Sequence, residues 1–317
     1  MDTDPFLTAA LSAAARGWPV VPLKPGTKRP AFHGYDRCPR TGPCTDGHQG
    51  WEQRAMLDPH EIRWYWGSRR YAGCNVGIAV GRARLVGVDL DIRKPGDAPP
   101  FAPWNQPGVC TGEDVFILLS QQAGELPPVD TYTVRTASGG SHLYYQAPEN
   151  IALRNTSGSE AGAGLGWKID TRAGGGQLVA AGSIVDGRPY TAVMDVDPIP
   201  LPAWLCERLK AATPAPASPS QPVSIRNRTG FVDSAVRATV AKVRATKVNR
   251  NAALWGAAVS LGQLVGGGQL TEREHAEALA DAASGHIAVG AYTARQAAQT
   301  IASGLRKGIQ QPRQVAA

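Results

Sequence analysis

Two aspartates separated by one residue lie in an otherwise apolar stretch, LVGVDLD, which spans Leu85 to Asp91. In an extended strand alternate side chains point to opposite faces, so the apolar residues would line a core and Asp89 and Asp91 would share the other face. Two ionised carboxylates roughly 6 to 7 Å apart along a strand raise each other's pKa unless a cation neutralises them. Mg2+ and Mn2+ prefer carboxylate and phosphate oxygens, so the pair suits half of a phosphoryl-transfer metal site. The alternative is an edge strand whose acids are solvated or pair with Arg93 and Lys94.

Two later segments add residues of the same chemistry. The turn TASGGSHLYY, Thr136 to Tyr145, is rich in Ser and Gly and leads into a predicted strand. Consecutive glycines let backbone N–H groups approach an anion, and His142 can donate to a phosphate oxygen, although a plain hairpin turn is the alternative. The segment GWKIDTRAGGGQLVAAGS, Gly166 to Ser183, places Asp170 within an apolar strand. A third carboxylate on the same face as Asp89 would complete the set that a two-metal nucleotidyl-transfer centre needs.

The order and spacing of these motifs resemble the bifunctional DNA primase/polymerase (prim-pol) domain of the archaeo-eukaryotic primase superfamily, which is found on plasmids and phages. Three motifs carry the resemblance: hydrophobic-Asp-x-Asp (VDLD), the Ser-Gly-Gly-x-His turn, and hydrophobic-Asp (ID). The resemblance implies that Asp89, Asp91 and Asp170 bind Mg2+ or Mn2+ and that His142 contacts the phosphates of the incoming nucleotide. The other candidate nucleotide-binding residues of the turn are Ser138, Gly139, Gly140 and Ser141.

Basic residues near these motifs are candidates for contacts with phosphate. Arg135, Lys168 and Arg172 lie beside the motifs and are candidates for neutralising a triphosphate. The segment GWPVVPLKPGTKRP, Gly17 to Pro30, is similar to the opening of prim-pol domains. It contributes three candidate DNA-binding residues, for which a solvated turn is an equally compatible explanation: Lys24, Lys28 and Arg29.

A Pro- and Gly-rich loop, HGYDRCPRTGPCTDGHQGW, carries two cysteines and two histidines with little apolar content to hold it. This composition is what a structural tetrahedral zinc site requires, although the spacing does not match a standard finger closely. The candidate ligands are Cys38, Cys44, His48 and His33, and Cys74 or Cys110 are alternatives to His33. Two free thiols in a long loop are the competing interpretation.

The pattern of elements predicts an α/β or α+β domain, and the resemblance implies an α+β primase/polymerase domain over residues 1–208. Seven short runs of aromatic and β-branched residues between Gly, Pro and Asp breaks predict strands; they are PVVPL, NVGIAV, LVGVDLD, TYTVRT, HLYYQ, WKIDT and QLVAA. Three helices have clear start and stop residues. They are expected from Asp4-Pro5 to Gly17, from Asp58-Pro59 to Gly67, and from Thr111 to Gly124.

After a Pro-, Ala- and Ser-rich linker at 209–224, the strand patterns end and residues 225–312 predict a small all-α helical bundle. Capping boxes begin two of its helices at Thr271 and Thr293. The four helices are expected at Phe231 to Ala245, at Asn249 to Leu264, from Thr271 to near Gly285, and from Thr293 to near Gly308. This part is similar to the helical module often attached to prim-pol domains.

Charge is distributed unevenly along the chain. The net charge is +7, and residues 221–317 hold 12 Lys and Arg against 5 Asp and Glu, whereas the two signs balance before them. This excess indicates either a polyanion contact or a solubilised helical module, and it makes Arg244, Lys247 and Arg250 candidate DNA-binding residues. Five cysteines, no signal peptide pattern and no apolar run long enough to cross a bilayer predict a cytoplasmic protein without a disulfide framework or membrane contact.

These features predict a primase/polymerase that acts on single-stranded DNA with NTPs and dNTPs. A replication-initiation or DNA-binding protein with a vestigial site is a second hypothesis, against which the intact acidic and histidine motifs argue. A metal-dependent nuclease is a third, which the Gly-rich turn disfavours. Because no G-x-x-x-x-G-K-[ST] segment occurs, a separate helicase is the expected partner for opening duplex DNA.

Overall fold

The computed structural model describes residues 4–158, 164–210, 228–247 and 250–313. The chain divides into two compact units, residues 1–212 and 213–317. Most of the predicted linker, from residue 211 onward, lies outside the described residues, and the predicted boundaries at 208 and 225 stay predictions.

Within the described residues the first unit contains ten strands, four α-helices and two short 3-10 helices at Tyr35–Arg37 and Gly42–Cys44. The strands are β1 (Val20–Leu23), β2 (Asn75–Ala79), β3 (Leu85–Leu90), β4 (Thr133–Arg135), β5 (Ser141–Gln146), β6 (Ile169–Arg172), β7 (Gln177–Val179), β8 (Ile184–Val185), β9 (Arg188–Pro189) and β10 (Thr191–Met194). The helices are α1 (Pro5–Ala15), α2 (Pro59–Gly67), α3 (Gly112–Gln122) and α4 (Ala203–Leu209). All seven predicted strands and three predicted helices are present, so the α+β fold class is confirmed.

The strands form two antiparallel sheets and a short hairpin. The first sheet has the order β1-β2-β7 and the second has the order β10-β4-β5-β3-β6, while β8 pairs with β9. In the second sheet β3 lies between β5 and β6 and is antiparallel to both. The strand with the two aspartates is therefore an interior strand, and the edge-strand alternative is wrong.

The two faces of β3 belong to different layers. Val86, Val88 and Leu90 are buried in a core that includes residues of α3 and α4. The opposite face meets the first sheet, because a Cβ built on Gly87 would lie 2.2 Å from Cδ1 of Leu178 in β7. The alternation expected from the sequence is thus observed, and the aspartate-bearing face looks toward the other sheet.

The helix starts follow the capping residues in the sequence. Asp4 and Asp58 accept hydrogen bonds from backbone N–H groups in the first turns of α1 and α2, and Thr111 forms a capping box with Asp114 at the start of α3. The helix α4 was not predicted, since it has only seven residues, follows Pro202 and has no side-chain cap. Strands β8, β9 and β10 were also missed: β8 and β9 have two residues each, and β10 is an edge strand with no buried residue to give an apolar alternation.

The second unit consists of four described helices: α5 (Arg228–Ala245), α6 (Arg250–Gly266), α7 (Glu272–Ala288) and α8 (Ala294–Ile309). This confirms the predicted helical bundle. Glycines let α6 and α8 approach closely, since a Cβ on Gly304 would lie 2.4 Å from Cβ of Ala258. Helix α7 runs past Gly285 because the buried His286 continues its packed face. No helix in the described part of the chain combines the length and apolar character needed to cross a bilayer.

Candidate active site and metal centre

The sheet register brings three of the predicted site residues side by side. Asp89 of β3 lies directly opposite His142 of β5 and, on its other side, directly opposite Asp170 of β6. Residues opposite each other in antiparallel strands project from the same face, so the acid of the middle strand is flanked by a histidine and a second acid. Tertiary pairing thus joins three motifs that are far apart in the sequence.

Asp89 is a largely buried carboxylate with a histidine partner. Its side chain is 17% exposed, and its Oδ2 lies 3.4 Å from Nε2 of His142. Burial by itself would raise the pKa of Asp89, but the charge and hydrogen bond of His142, together with Lys28 and Arg172, hold this pKa below its usual range. Asp89 is therefore ionised at neutral pH.

The second oxygen of Asp89 is the clearest indication that this face suits a cation. Asp89 Oδ1 is buried and has no hydrogen-bond partner among the described residues, and the same is true of His142 Nδ1. A buried carboxylate oxygen without a partner is costly, whereas a divalent cation would satisfy it. The donor set of this face therefore fits a hard, oxygen-preferring metal ion.

Asp170 is engaged by its own neighbours. Arg172 Nη2 donates to Asp170 Oδ2 at 3.0 Å, and the N–H of Gly158 donates to Oδ1 at 2.9 Å. Lys168 is engaged as well, since its Nζ donates to Asp97 Oδ2 at 2.6 Å. Asp97 had no motif to mark it in the sequence. A cavity of about 270 Å3 opens between these groups, lined by Asp91, Asp97, Ala98, Ser157, Gly158, Trp167, Lys168 and Asp170.

Asp91 follows the last residue of β3 and is held by backbone contacts on both sides. Its N–H donates to the carbonyl of Lys168 at 2.9 Å, and its carbonyl accepts from the N–H of Gly112 at 2.8 Å. A Cβ on Gly112 would lie 2.2 Å from the Lys168 oxygen, and one on Gly140 would lie 2.4 Å from the Leu90 oxygen. Both glycines are required by close backbone packing around Asp91.

The pKa of Asp91 is raised by burial and by the charge of Asp89, and Asp170 adds to the effect. The two acids therefore repel each other in the absence of a cation, as expected from their spacing. The carboxylates of Asp89, Asp91 and Asp170 lie on one face of the sheet, but their oxygens do not converge on a single point. Among the described residues, the only group of three or more potential ligands within 4.8 Å of one another lies elsewhere.

The Gly-rich turn before β5 is closed by internal hydrogen bonds. Gly139 has a φ of +99°, its N–H donates to the carbonyl of Thr136 at 2.9 Å, and its own carbonyl accepts from Arg135. Ser138 contacts the hydroxyl of Thr136 at 3.1 Å. The N–H of Gly139 is thus used within the turn, and the glycines serve its conformation and packing. Nucleotide binding by Ser138, Gly139, Gly140 and Ser141 stays a prediction.

The predicted DNA-binding residues fall into separate places. Lys24, Lys28 and Arg29 are all exposed in the loop after β1, and the Lys28 ammonium lies near the Tyr190 ring and the acidic face. In the second unit Arg244 is paired with Asp281 and Lys247 is exposed. Arg250 is half-buried and begins α6.

The Cys/His loop folds into a compact cluster. The potential ligand atoms of His33, Cys38, Cys44 and His48 all lie within 4.8 Å of one another, so this cluster could hold a metal ion. Neither Cys74 nor Cys110 belongs to it. The N–H of Gln49 donates to Cys44 Sγ at 3.4 Å, and this hydrogen bond lowers the pKa of the Cys44 thiol against the effect of burial. Burial and the Arg54 charge lower the pKa of His33, which favours the neutral imidazole that metals bind.

An interior strand that carries acids beside a histidine suits metal-assisted phosphoryl transfer, in which divalent cations stabilise the attacking and leaving oxygens. The family model for the N-terminal domain of bifunctional DNA primase/polymerases (Prim-Pol) matches residues 10–204. The chain belongs to this family, which supports a DNA primase/polymerase nucleotidyltransferase function and implies single-stranded DNA and nucleotides as substrates. The comparison with curated proteins gave no match.

Asp91→Asn is expected to stabilise the metal-free protein at pH 7. A carboxyl whose pKa is raised in the folded state favours folding only at low pH, and this benefit is lost as the pH rises through the folded pKa. The ionised Asp91 is therefore a net cost at pH 7, which the neutral amide removes. Thermal unfolding in EDTA should show a higher Tm for the variant. Mn2+ should raise the Tm of the wild type and have little effect on the Tm of the variant. An equal rise in Tm for both proteins would contradict the assignment of Asp91 as a metal ligand.

Gly112→Ala is expected to displace Asp91, because the new Cβ would collide with the Lys168 carbonyl. A misplacement of about 1 Å in a catalytic group can cost about 100-fold in rate. Nucleotide incorporation by the variant should fall by about that factor and should need more Mn2+ for half-maximal rate. The matched control is Gly67→Ala, where a Cβ meets nothing within 4 Å. Similar rates and metal requirements for both variants would show that the packing of Gly112 against the Lys168 carbonyl does not determine the position of Asp91.

Proposed function

We propose that the protein is a template-dependent nucleotidyltransferase that synthesises primers de novo on single-stranded DNA and extends them. The observation that carries this proposal is the register that places Asp89 between His142 and Asp170. The family match supports the reaction class, and the buried, unpartnered oxygen of Asp89 supports a divalent cation on this face.

In this proposal Asp89, Asp91 and Asp170 hold Mg2+ or Mn2+. When bound, two such ions supply charge stabilisation for the attack of a 3′-hydroxyl on the α-phosphate and for the departing pyrophosphate. His142 donates from one of its ring nitrogens, Nδ1 or Nε2, to a phosphate oxygen of the incoming nucleotide. Asp89 and His142 lie side by side on neighbouring strands. A nucleotide that binds there therefore places its phosphates against both the histidine and the carboxylates.

Arg172 and Lys168 give the site a way to respond to the nucleotide. Both are paired with carboxylates, Arg172 with Asp170 and Lys168 with Asp97. We propose that the triphosphate attracts Arg172 away from Asp170, which frees Asp170 to join the metal site. Arg side chains suit this exchange, since the guanidinium binds carboxylate and phosphate in the same bidentate geometry.

Five basic residues are proposed to bind template phosphates. They are Lys24 and Arg29 in the first unit and Arg244, Lys247 and Arg250 in the second. Such contacts are independent of base sequence and weaken as salt rises. Because the chain has no P-loop motif, a separate helicase is proposed to expose the template.

The Cys/His cluster is proposed to bind a structural Zn2+ through His33, Cys38, Cys44 and His48. Two thiolates and two imidazoles match the tetrahedral ligand set of structural zinc sites. The loop around the cluster has few apolar residues, so a metal would provide cohesion that a hydrophobic core does not. This proposal is independent of the catalytic one.

The first experiment incubates the protein with unprimed single-stranded DNA, labelled NTPs or dNTPs, and Mn2+ or Mg2+. We expect oligonucleotide products from the wild type and a loss of more than about 100-fold for the double variant Asp89→Ala, Asp91→Ala, since metal stabilisation of the transition state contributes several kcal/mol. Asp130→Ala, which changes an exposed acid before β4, is the matched control and should retain activity.

The same assay with a primed template separates the alternatives. Extension without initiation would restrict the function to polymerisation. Binding of DNA without any product would favour a replication-initiation protein, and degradation of the labelled strand would favour a nuclease. Either of the last two results would overturn the proposed function.

For the zinc site, the purified protein should contain about one zinc ion per chain. Cys44→Ser should remove most of it and lower the Tm, because the loop loses its cross-link. Cys110→Ser is the control, since Cys110 is exposed and lies outside the cluster. Metal analysis by mass spectrometry gives the zinc content. A wild-type protein purified without zinc that does not take up added Zn2+ would contradict this proposal.

A further inference from the structure

Lys28 lies in the loop that follows β1, and hydrogen bonds from other segments hold this loop in place. Its carbonyl accepts a hydrogen bond from Nε2 of Gln177 in β7 at 2.7 Å. Two residues earlier, Gly26 pairs with Val185, and its carbonyl accepts from the N–H of Asp186 at 3.3 Å. The loop that carries Lys28 is thus tied to β7 and β8, so it is not a freely solvated turn.

A row of side chains leads from Lys28 through Tyr190 and His142 to Asp89. The Lys28 Nζ lies 5.8 Å from the centroid of the Tyr190 ring, and that ring lies 5.6 Å from the ring of His142. His142 in turn contacts Asp89 at 3.4 Å. Tyr190 is 1% exposed, which gives the row a rigid central member. The Lys28 ammonium is therefore placed on the histidine side of the acidic face.

Lys28 differs from the other cations of the site in having no carboxylate partner. Arg172 and Lys168 are each engaged by an aspartate, whereas Lys28 forms no ion pair within 4 Å among the described residues. Lys28 keeps part of its surface exposed, so a ligand can reach it. Partial burial alone would lower the pKa of Lys28, but Tyr190 and the charges of Asp89 and Asp91 raise it, so the ammonium is charged at neutral pH.

We propose that Lys28 binds the triphosphate tail of the incoming nucleotide, with Tyr190 as the residue that positions its ammonium beside His142. A metal held by one or two carboxylates completes its coordination with substrate phosphates, so the anion beside this face is the triphosphate of the nucleotide rather than a template phosphate. This revises the expectation that Lys28, like Lys24 and Arg29, contacts DNA. The inference rests on the proposed function.

In the transfer step the 3′-oxygen forms a bond to the α-phosphorus and releases its proton to solvent. The bond between the α-phosphorus and the bridging oxygen breaks, and the electron pair leaves with pyrophosphate. The leaving group gains negative charge as this bond breaks. The ammonium of Lys28 therefore stabilises the departing pyrophosphate as well as the bound triphosphate.

The test compares the affinity of the full chain for a dNTP, for the matching dNMP and for single-stranded DNA, by titration calorimetry or fluorescence in the presence of Mg2+. Lys28→Ala should weaken dNTP binding about tenfold to 100-fold and leave dNMP and DNA binding within about twofold, since a charge-assisted contact to the tail is lost. Lys28→Arg should recover most of the dNTP affinity. Lys307→Ala, an exposed lysine of α8, is the matched control.

Kinetics provide a second measurement: Lys28→Ala should raise the KM for dNTP and leave the KM for primed template unchanged. Weaker DNA binding with unchanged dNTP affinity would overturn the inference in favour of a template contact. Unchanged affinities for all three ligands in Lys28→Ala, with a wild type that binds dNTP, would overturn this inference alone. A wild type that binds no nucleotide would overturn the proposed function with it.

Discussion

The buried charge of Asp89 is the constraint around which the first unit is organised. A carboxylate in an interior strand, on the face that meets a second sheet, loses most of its hydration and must be compensated. His142 lies 3.4 Å away on one neighbouring strand, and the charges of Lys28 and Arg172 act from the loop after β1 and from β6. One oxygen is still without a hydrogen-bond partner in the described structure. A buried carboxylate oxygen without a partner lowers the stability of the fold, and binding of a cation would offset this cost.

Placing the acids on strands makes the geometry of the site depend on register. A slip of one residue between β3 and β5 would turn Asp89 away from His142 and expose the apolar side chains of the other face. Glycines make this register possible at three positions. Gly87 admits Leu178 from the first sheet, and Gly112 and Gly140 allow backbones to approach Asp91. These glycines therefore act on the site through packing, and they need not touch a substrate.

The Cys/His loop is connected to the same region through hydrogen bonds at its end. Arg82 Nη1 donates to the carbonyls of Glu52, Gln53 and Ala55. The carboxylate of Glu52 accepts from the N–H of Gly175 at 3.0 Å, in the loop that follows Arg172. A metal in the cluster would thus stabilise a segment that supports the backbone next to β6. The fold uses this loop and the first sheet as a support for the acidic face of the second sheet.

Local patterns in the sequence determined much of this protein. The alternation in LVGVDLD predicted the two faces of β3, and the capping residues Asp4, Asp58 and Thr111 predicted where three helices begin, because these signals act within a few residues. The motif order also predicted which acids and which histidine form the candidate site. Elements without strong local signals were missed, namely α4 and strands β8 to β10.

Only the tertiary structure decided how these residues meet. It placed Asp89 between His142 and Asp170, paired Lys168 with Asp97, and brought the Lys28 ammonium against the Tyr190 ring on the histidine side of the site. In the sequence Lys24, Lys28 and Arg29 look equivalent, since each lies in one polar turn. They differ because the hydrogen bond from Gln177 to Lys28 joins segments 149 residues apart. Contacts of that range depend on strand pairing and sheet packing, which local residue patterns do not encode.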